Sequence, residues 1–154
     1  MDKKGQLSLE YLLLFFISLL LLSIISIPLL NSSIEDTMDM TDVVKVKSSL
    51  TEISGNVKLI YSLDDGSRKV VSIYLPRDLY LYCNSEDGRY YLSTTLNLSD
   101  NSHKTIKVEV PCNVTFNGNP SHRYTHKNSG WYYNSEFRWV VFSDGTRSVN
   151  INFR

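Results

Sequence analysis

The feature that most limits how this chain can fold is the run at residues 11–30, Tyr-Leu-Leu-Leu-Phe-Phe-Ile-Ser-Leu-Leu-Leu-Leu-Ser-Ile-Ile-Ser-Ile-Pro-Leu-Leu, which carries no charge. About 20 residues of this character, wound as a helix, are long enough to cross the hydrocarbon core of a bilayer. Only Ser18, Ser23 and Ser26 interrupt the apolar surface, and a helical serine can fold its hydroxyl back onto the preceding turn. They do not oppose burial in lipid. Pro28 lacks a donor and is expected to bend the helix rather than end it, because Leu29 and Leu30 continue the apolar pattern.

A secretory signal peptide has a shorter apolar core, followed by a small-residue cleavage site. Here the run is longer, no Ala-x-Ala-like site follows it, and the small residue, Gly5, precedes it. Cleavage between Gly5 and Gln6 would remove Lys3 and Lys4 and leave the apolar helix on the mature chain. The order Lys3, Lys4, Gly5, Gln6, Ser8, Glu10, Tyr11 and then the apolar run resembles the class III signal peptide of archaeal type IV pilins, with its Gln-x-Ser-x-Glu-Tyr box. Archaellins use a related signal with a different processing box, so the resemblance is to adhesive or structural pilins. It covers about the first thirty residues and implies a prepilin peptidase acting at Gly5 and Gln6. It also implies that Glu10 of one subunit meets the new Gln6 amine of a neighbour. The cost of the acid is consistent with this: a carboxylate at the centre of a membrane helix costs about 2.5 to 3.5 kcal/mol, less near an interface, so an acid placed there usually has a partner. The plainer reading leaves Glu10 solvated at headgroup depth.

The chain has 16 basic and 16 acidic residues. Losing residues 1–5 removes two lysines and one aspartate, leaving a net charge of about −1. There is no basic surplus to attract nucleic acid. Ten tyrosines, six phenylalanines and two tryptophans suffice for a compact core beyond the apolar run. Cys83 and Cys112 are the entire thiol inventory. In an exported chain such a pair reads first as a disulfide, the alternative being two reduced, buried cysteines.

Past Asn31, apolar residues recur at helical spacing: Ile34, Met38 and Thr41, then Val46, Leu50, Ile53, Val57 and Ile60 in steps of four, three, four and three. Acids and lysines take the other faces. One long helix is therefore expected over residues 7–63, apolar all round in front and on one stripe behind, with Gly55 a possible weak point. Asp64-Asp65-Gly66-Ser67 is turn chemistry. Strands are expected at 70–75, 79–83, 89–96, 106–110 and 112–116, the last demoted to an edge by Pro111. Residues 117–130 should be a loop, and 137–142 with 148–153 a hairpin closing at Ser143-Asp144-Gly145-Thr146. The fold class is α+β: residues 1–5 a leader, 6–63 the helix with 6–30 its membrane or filament-core part, and 64–154 a β-rich head, an antiparallel sheet or sandwich. The long helix, the Tyr74-Leu75-Pro76 strand end and the cysteine pair are also similar to the heads of this pilin group.

Three sequons occur, at Asn97, Asn113 and Asn31; Asn97 borders a polar turn and is the best acceptor, while Asn31 is the worst placed. His122 and His126, with His103 upstream, read as solvated loop residues rather than metal ligands, since Pro120 and Gly130 oppose a helix there. Tyr124, Trp131, Tyr132 and Tyr133 are expected to cover the sheet or the rear of the helix rather than to form a sticky surface. No catalytic constellation, phosphate-binding glycine loop, metal site or cofactor is expected. The resemblance implies a homopolymer of identical subunits, built by a pilus assembly machinery and held in the membrane beforehand. The alternatives are a minor or tip pilin, or a single-pass anchored binding domain that keeps its lysines.

Overall fold

The computed structural model describes residues 3–118, 124–128, 130–143 and 145–154. The first element is one helix, α1, Lys3–Tyr61, with Pro28 inside it. Eight strands follow among the described residues: β1 Arg68–Leu75, β2 Leu79–Glu86, β3 Arg89–Asn97, β4 His103–Val110, β5 Asn113–Phe116, β6 Tyr124–Lys127, β7 Trp131–Val141 and β8 Arg147–Phe153. The chain divides into two compact units, Met1–Met38 and Asp39–Arg154. The protein is α+β, a long apolar helix followed by β-sheets.

Within residues 39–154 the strands form two four-stranded sheets, ordered β1-β7-β8-β5 and β4-β3-β2-β6. All pairings are antiparallel except β5 with β8, where Val114 stands beside Val149. Alternation decides which face is buried. In β4, Ile106 and Val110 point inward while Lys107 and Glu109 point out, as the apolar-charged alternation of that stretch predicts. The core joins both sheets through Ile73, Leu81, Leu92, Phe116, Phe137 and Ile151. The β2–β3 hairpin closes on Asp87 (φ 51°) and Gly88 (φ 75°), the pair of positive φ values that a tight type I′ turn requires.

The predicted helical stripe is the one the head buries: Val46, Leu50, Ile53 and Val57 are fully buried, and Ile60 is 1% exposed. At about 1.5 to 3 kcal/mol per side chain, these five contribute on the order of 10 kcal/mol as an upper estimate. At about 100° per residue, Ser49 falls on one flank of that stripe and Ser54 on the other. Ser49 Oγ donates to the Tyr74 carbonyl at 2.8 Å, and Ser54 Oγ donates to the Glu109 carbonyl at 2.8 Å. Because β1 and β4 are edges of the two sheets, the helix supplies donors to carbonyls that an open edge would leave exposed. The helix ends at Tyr61, and Trp139 secures its exit by donating its indole N–H to the Leu63 carbonyl at 3.2 Å. The turn at residues 64–67 follows, with Gly66 at φ 87°.

Two expectations need correction. Residues 117–130 are not a plain loop: β6 lies inside and pairs with β2, Leu81 opposite Thr125. A four-residue edge strand of polar residues carries little hydrophobic signal of its own; pairing makes it a strand. The strand expected at 137 begins at Trp131, because residues 131–138 pair with β1 along its whole length. The β7–β8 hairpin closes over residues 142–146, its last pair being Val141 with Arg147, around the turn expected there; Asp144 lies outside the described residues.

Candidate functional site

In the front unit, the large apolar side chains stand exposed. From Leu9 to Leu30 they range from 47% exposed at Ile17 to 71% at Tyr11. Removing so many Leu, Ile and Phe side chains from water is worth on the order of tens of kcal/mol, so this surface requires lipid or other protein. The helix is long and apolar enough to cross a membrane. Two serines behave as expected: Ser18 Oγ donates to the Phe15 carbonyl at 2.7 Å and Ser23 Oγ to the Leu19 carbonyl at 2.9 Å. Their polarity is absorbed locally. Gly5 and Gln6 lie on α1, and Glu10 and Tyr11 stand exposed on it. Ile34 and Met38, read in sequence as the start of the head-facing stripe, are 54% and 65% exposed. The stripe that the head covers begins with Val43, half-buried against the core, and is fully buried from Val46 on.

In the head, two acids on the helix reach the turns between strands. Asp39 accepts from the Ser99 backbone N–H at 2.8 Å and from Ser99 Oγ at 3.1 Å. Asp42 pairs with Arg77 at 3.2 Å. Sequence reasoning placed both acids on a solvated face. Partners 60 and 35 residues away leave no local signal, although acids beside the start of an apolar stripe are positioned to make such contacts.

The sequons differ in environment. Asn31 is exposed on α1. Asn97 is exposed at the end of β3, its Oδ1 2.8 Å from His103 Nδ1, while its sequon partner Ser99 is held by Asp39. Asn113 is half-buried, and its Oδ1 is buried with no hydrogen-bond partner. Of the other histidines, His126 has its backbone opposite Tyr80 and His122 lies outside the described residues.

Cys83 and Cys112 are both buried and stand as thiols. Cys83 faces inward from β2, and its sulfur accepts from the Val114 backbone N–H at 3.4 Å, so it touches the first turn of chain beyond Cys112. Burial pushes the Cys112 thiol from 9.0 up to about 11, with a backbone hydrogen bond at Val149 opposing the shift and the nearby Cys83 adding to it. Cys83 lies on a strand of one sheet, and Cys112 directly precedes a strand of the other.

The aromatic stretch divides. Tyr133 packs edge-on against Phe153 at 6.0 Å, with Lys127 Nζ 5.2 Å from the Tyr133 ring centre. Trp131 and Tyr132 are instead 67% and 65% exposed, contrary to the expectation that they cover the sheet. The register explains Tyr132: it stands opposite Tyr74 on the outward face, ring centres 4.9 Å apart.

Residues 3–29 match the family model for the class III signal peptide. This signal is of the type IV pilin-like kind, and the apolar helix that it includes fits a precursor that is anchored in a membrane and processed by a prepilin peptidase. No curated protein and no solved structure matches the chain.

Proposed function

We propose that the mature chain is a structural subunit of an archaeal type IV adhesion pilus. The leader, residues 1–5, is removed between Gly5 and Gln6, residues 6–63 form the assembly helix, and residues 64–154 form the head displayed outside the cell. The observation that carries this reading is the conjunction of the class III signal at 3–29 with an apolar helix surface that stands largely exposed among the described residues. In the membrane that surface is satisfied by lipid. In the filament it is satisfied by the same surface on neighbouring subunits, at similar apolar cost, so a polar contact can decide the transfer. Glu10, exposed on α1, meets the Gln6 amine that cleavage creates on a neighbour. Head-to-tail contacts of this kind do not close into a ring, and an open helical polymer follows. Asn97 is the favoured glycan acceptor, Asn31 is accessible, and Asn113 is the least accessible of the three.

Mass analysis of isolated surface filaments tests the reading. It expects this chain in them with Gln6 as its first residue; a chain that keeps Lys3 and Lys4 and is absent from every filament refutes it and favours a single-pass anchored domain.

A further inference from the structure

The head holds one pair of residues whose chemistry assembly does not use. Asn117-Gly118 is the single Asn-Gly pair in the sequence, and it follows β5 on two left-handed residues, φ 55° at Asn117 and 71° at Gly118. Asparagine before glycine is open to spontaneous ring closure, because glycine has no Cβ to hinder approach to its own nitrogen. In that reaction the Gly118 nitrogen gives its proton to solvent and attacks the side-chain carbonyl carbon of Asn117. The new C–N bond closes a five-membered imide, the bond to Nδ2 breaks, and ammonia leaves after taking up a proton; water then opens the imide to aspartate or isoaspartate. Isoaspartate lengthens the main chain by one carbon, just where the Asn117 N–H donates to the Ile151 carbonyl at 3.0 Å. A larger residue in place of Gly118 would be strained at its φ, so the fold keeps the reactive pair.

In the folded head the nucleophile is tied down. The Gly118 N–H donates to Asn150 Oδ1 at 2.8 Å. Asn150 lies on β8 directly opposite Thr115, and the hydroxyl of Thr115, a fully buried residue, donates to the same oxygen at 3.3 Å. The parallel β5–β8 register thus places the Asn150 amide oxygen on the one N–H whose loss starts the reaction. Ring closure requires that proton to be given up and the peptide to turn toward its own side chain, and both movements break this bond. We propose that Asn117 is a latent deamidation site and that Asn150 is the positioning residue that keeps it closed. While β5, an edge strand, stays paired with β8, the imide does not form; when the edge opens, the pair records the event as an irreversible gain of one carboxylate. This depends on the head alone and stands apart from the filament reading.

The test is incubation of the full chain in detergent micelles at mildly alkaline pH, following the mass of the peptide that contains Asn117. Folded wild type is expected to convert slowly, and the same chain in urea quickly. Asn150→Ala, once shown to keep the native amide spectrum, should convert at least about fivefold faster than folded wild type, the worth of one hydrogen bond. Asn150→Asp keeps an acceptor oxygen in place and should stay slow. In the unaltered chain the Gly118 amide should exchange slowly with deuterium. The proposal is overturned by folded wild type converting at the urea rate, by a folded Asn150→Ala no faster than wild type, or by Asn150→Asp as fast as Asn150→Ala. A freely exchanging Gly118 amide overturns it even where Asn150→Ala does not fold.

Discussion

Oxidation of the head is the perturbation with the clearest magnitude. Cys83 faces inward from β2 in one sheet, and Cys112 directly precedes β5 in the other. A bond between them would staple the two sheets of the sandwich. The loop it closes holds about 30 residues, for which the chain-entropy argument gives about 3 to 4 kcal/mol of stabilisation. For a protein of this size that corresponds to a rise in Tm of roughly 10 °C. The assay is thermal unfolding of the full chain in detergent, oxidised and fully reduced, with the Cys83→Ala, Cys112→Ala variant as reference. The reduced form has its own signature. Burial raises Cys112 from 9.0 to about 11, so the folded state holds its proton more tightly than the unfolded state. The stabilisation from this group is present in full below the unfolded value and is lost as pH climbs through about 11. The reduced head should therefore weaken between pH 9 and 11 through this thiol, and the oxidised head should not. Two titratable thiols in oxidised protein after unfolding, or identical melting of the oxidised and reduced forms, would refute the reasoning.

Leu50→Ala, at a fully buried position of the helical stripe, should destabilise the head by about 2 to 5 kcal/mol, measured by denaturant unfolding. Val44→Ala, 64% exposed on the same helix, should shift stability by less than about 0.5 kcal/mol; equal losses at the two positions would contradict the packing described. Gly55 is exposed and a Cβ there meets nothing within 4 Å, so Gly55→Ala should stabilise by about 0.5 to 1 kcal/mol, and a lower Tm would show that the helix needs glycine there. Glu10→Ala should leave precursor levels in the membrane unchanged and sharply reduce the yield of sheared filaments; an undiminished yield would count against the pairing of Glu10 with the Gln6 amine.

What could be read in the sequence was what repeats at a fixed period. The steps of four and three from Val46 to Ile60 and the alternation from Ile106 to Val110 each state a face without reference to anything else, and the fold uses both faces as stated. The strand β6 could not be read this way, because Tyr124-Thr125-His126-Lys127 has no apolar alternation and owes its form to β2 beside it. The early start of β7 was hidden for a related reason: Asn134, Ser135 and Glu136 look like loop residues until β1 is laid alongside them. Ser135 is fully buried there, a position that no propensity scale favours. The bonds from Ser49 and Ser54 to the two edge strands, and from Asp39 and Asp42 to the turns, depend on partners 25 to 60 residues distant. Only their places beside the stripe were visible in advance.

The division of α1 bears on how a subunit could change surroundings without unfolding. The stripe from Val46 to Ile60 is completed by strands of the same head, and the serines on its flanks are satisfied there too. None of that core waits for a neighbour. The front of the helix is the reverse: it offers some 17 large apolar side chains from Leu9 to Leu30 and covers none of them itself. Because lipid tails and neighbouring apolar helices are comparably good solvents for such a surface, the proposed transfer exchanges like for like, and the head's stability does not enter the balance. What would give direction in the proposed transfer is polar: the lysines that leave with the proposed leader, the amine that its removal creates at Gln6, and the carboxylate of Glu10. A change in the head core should therefore alter how much folded subunit is available, whereas a change at Glu10 should alter whether folded subunit assembles, and the two defects should be separable in the same cells.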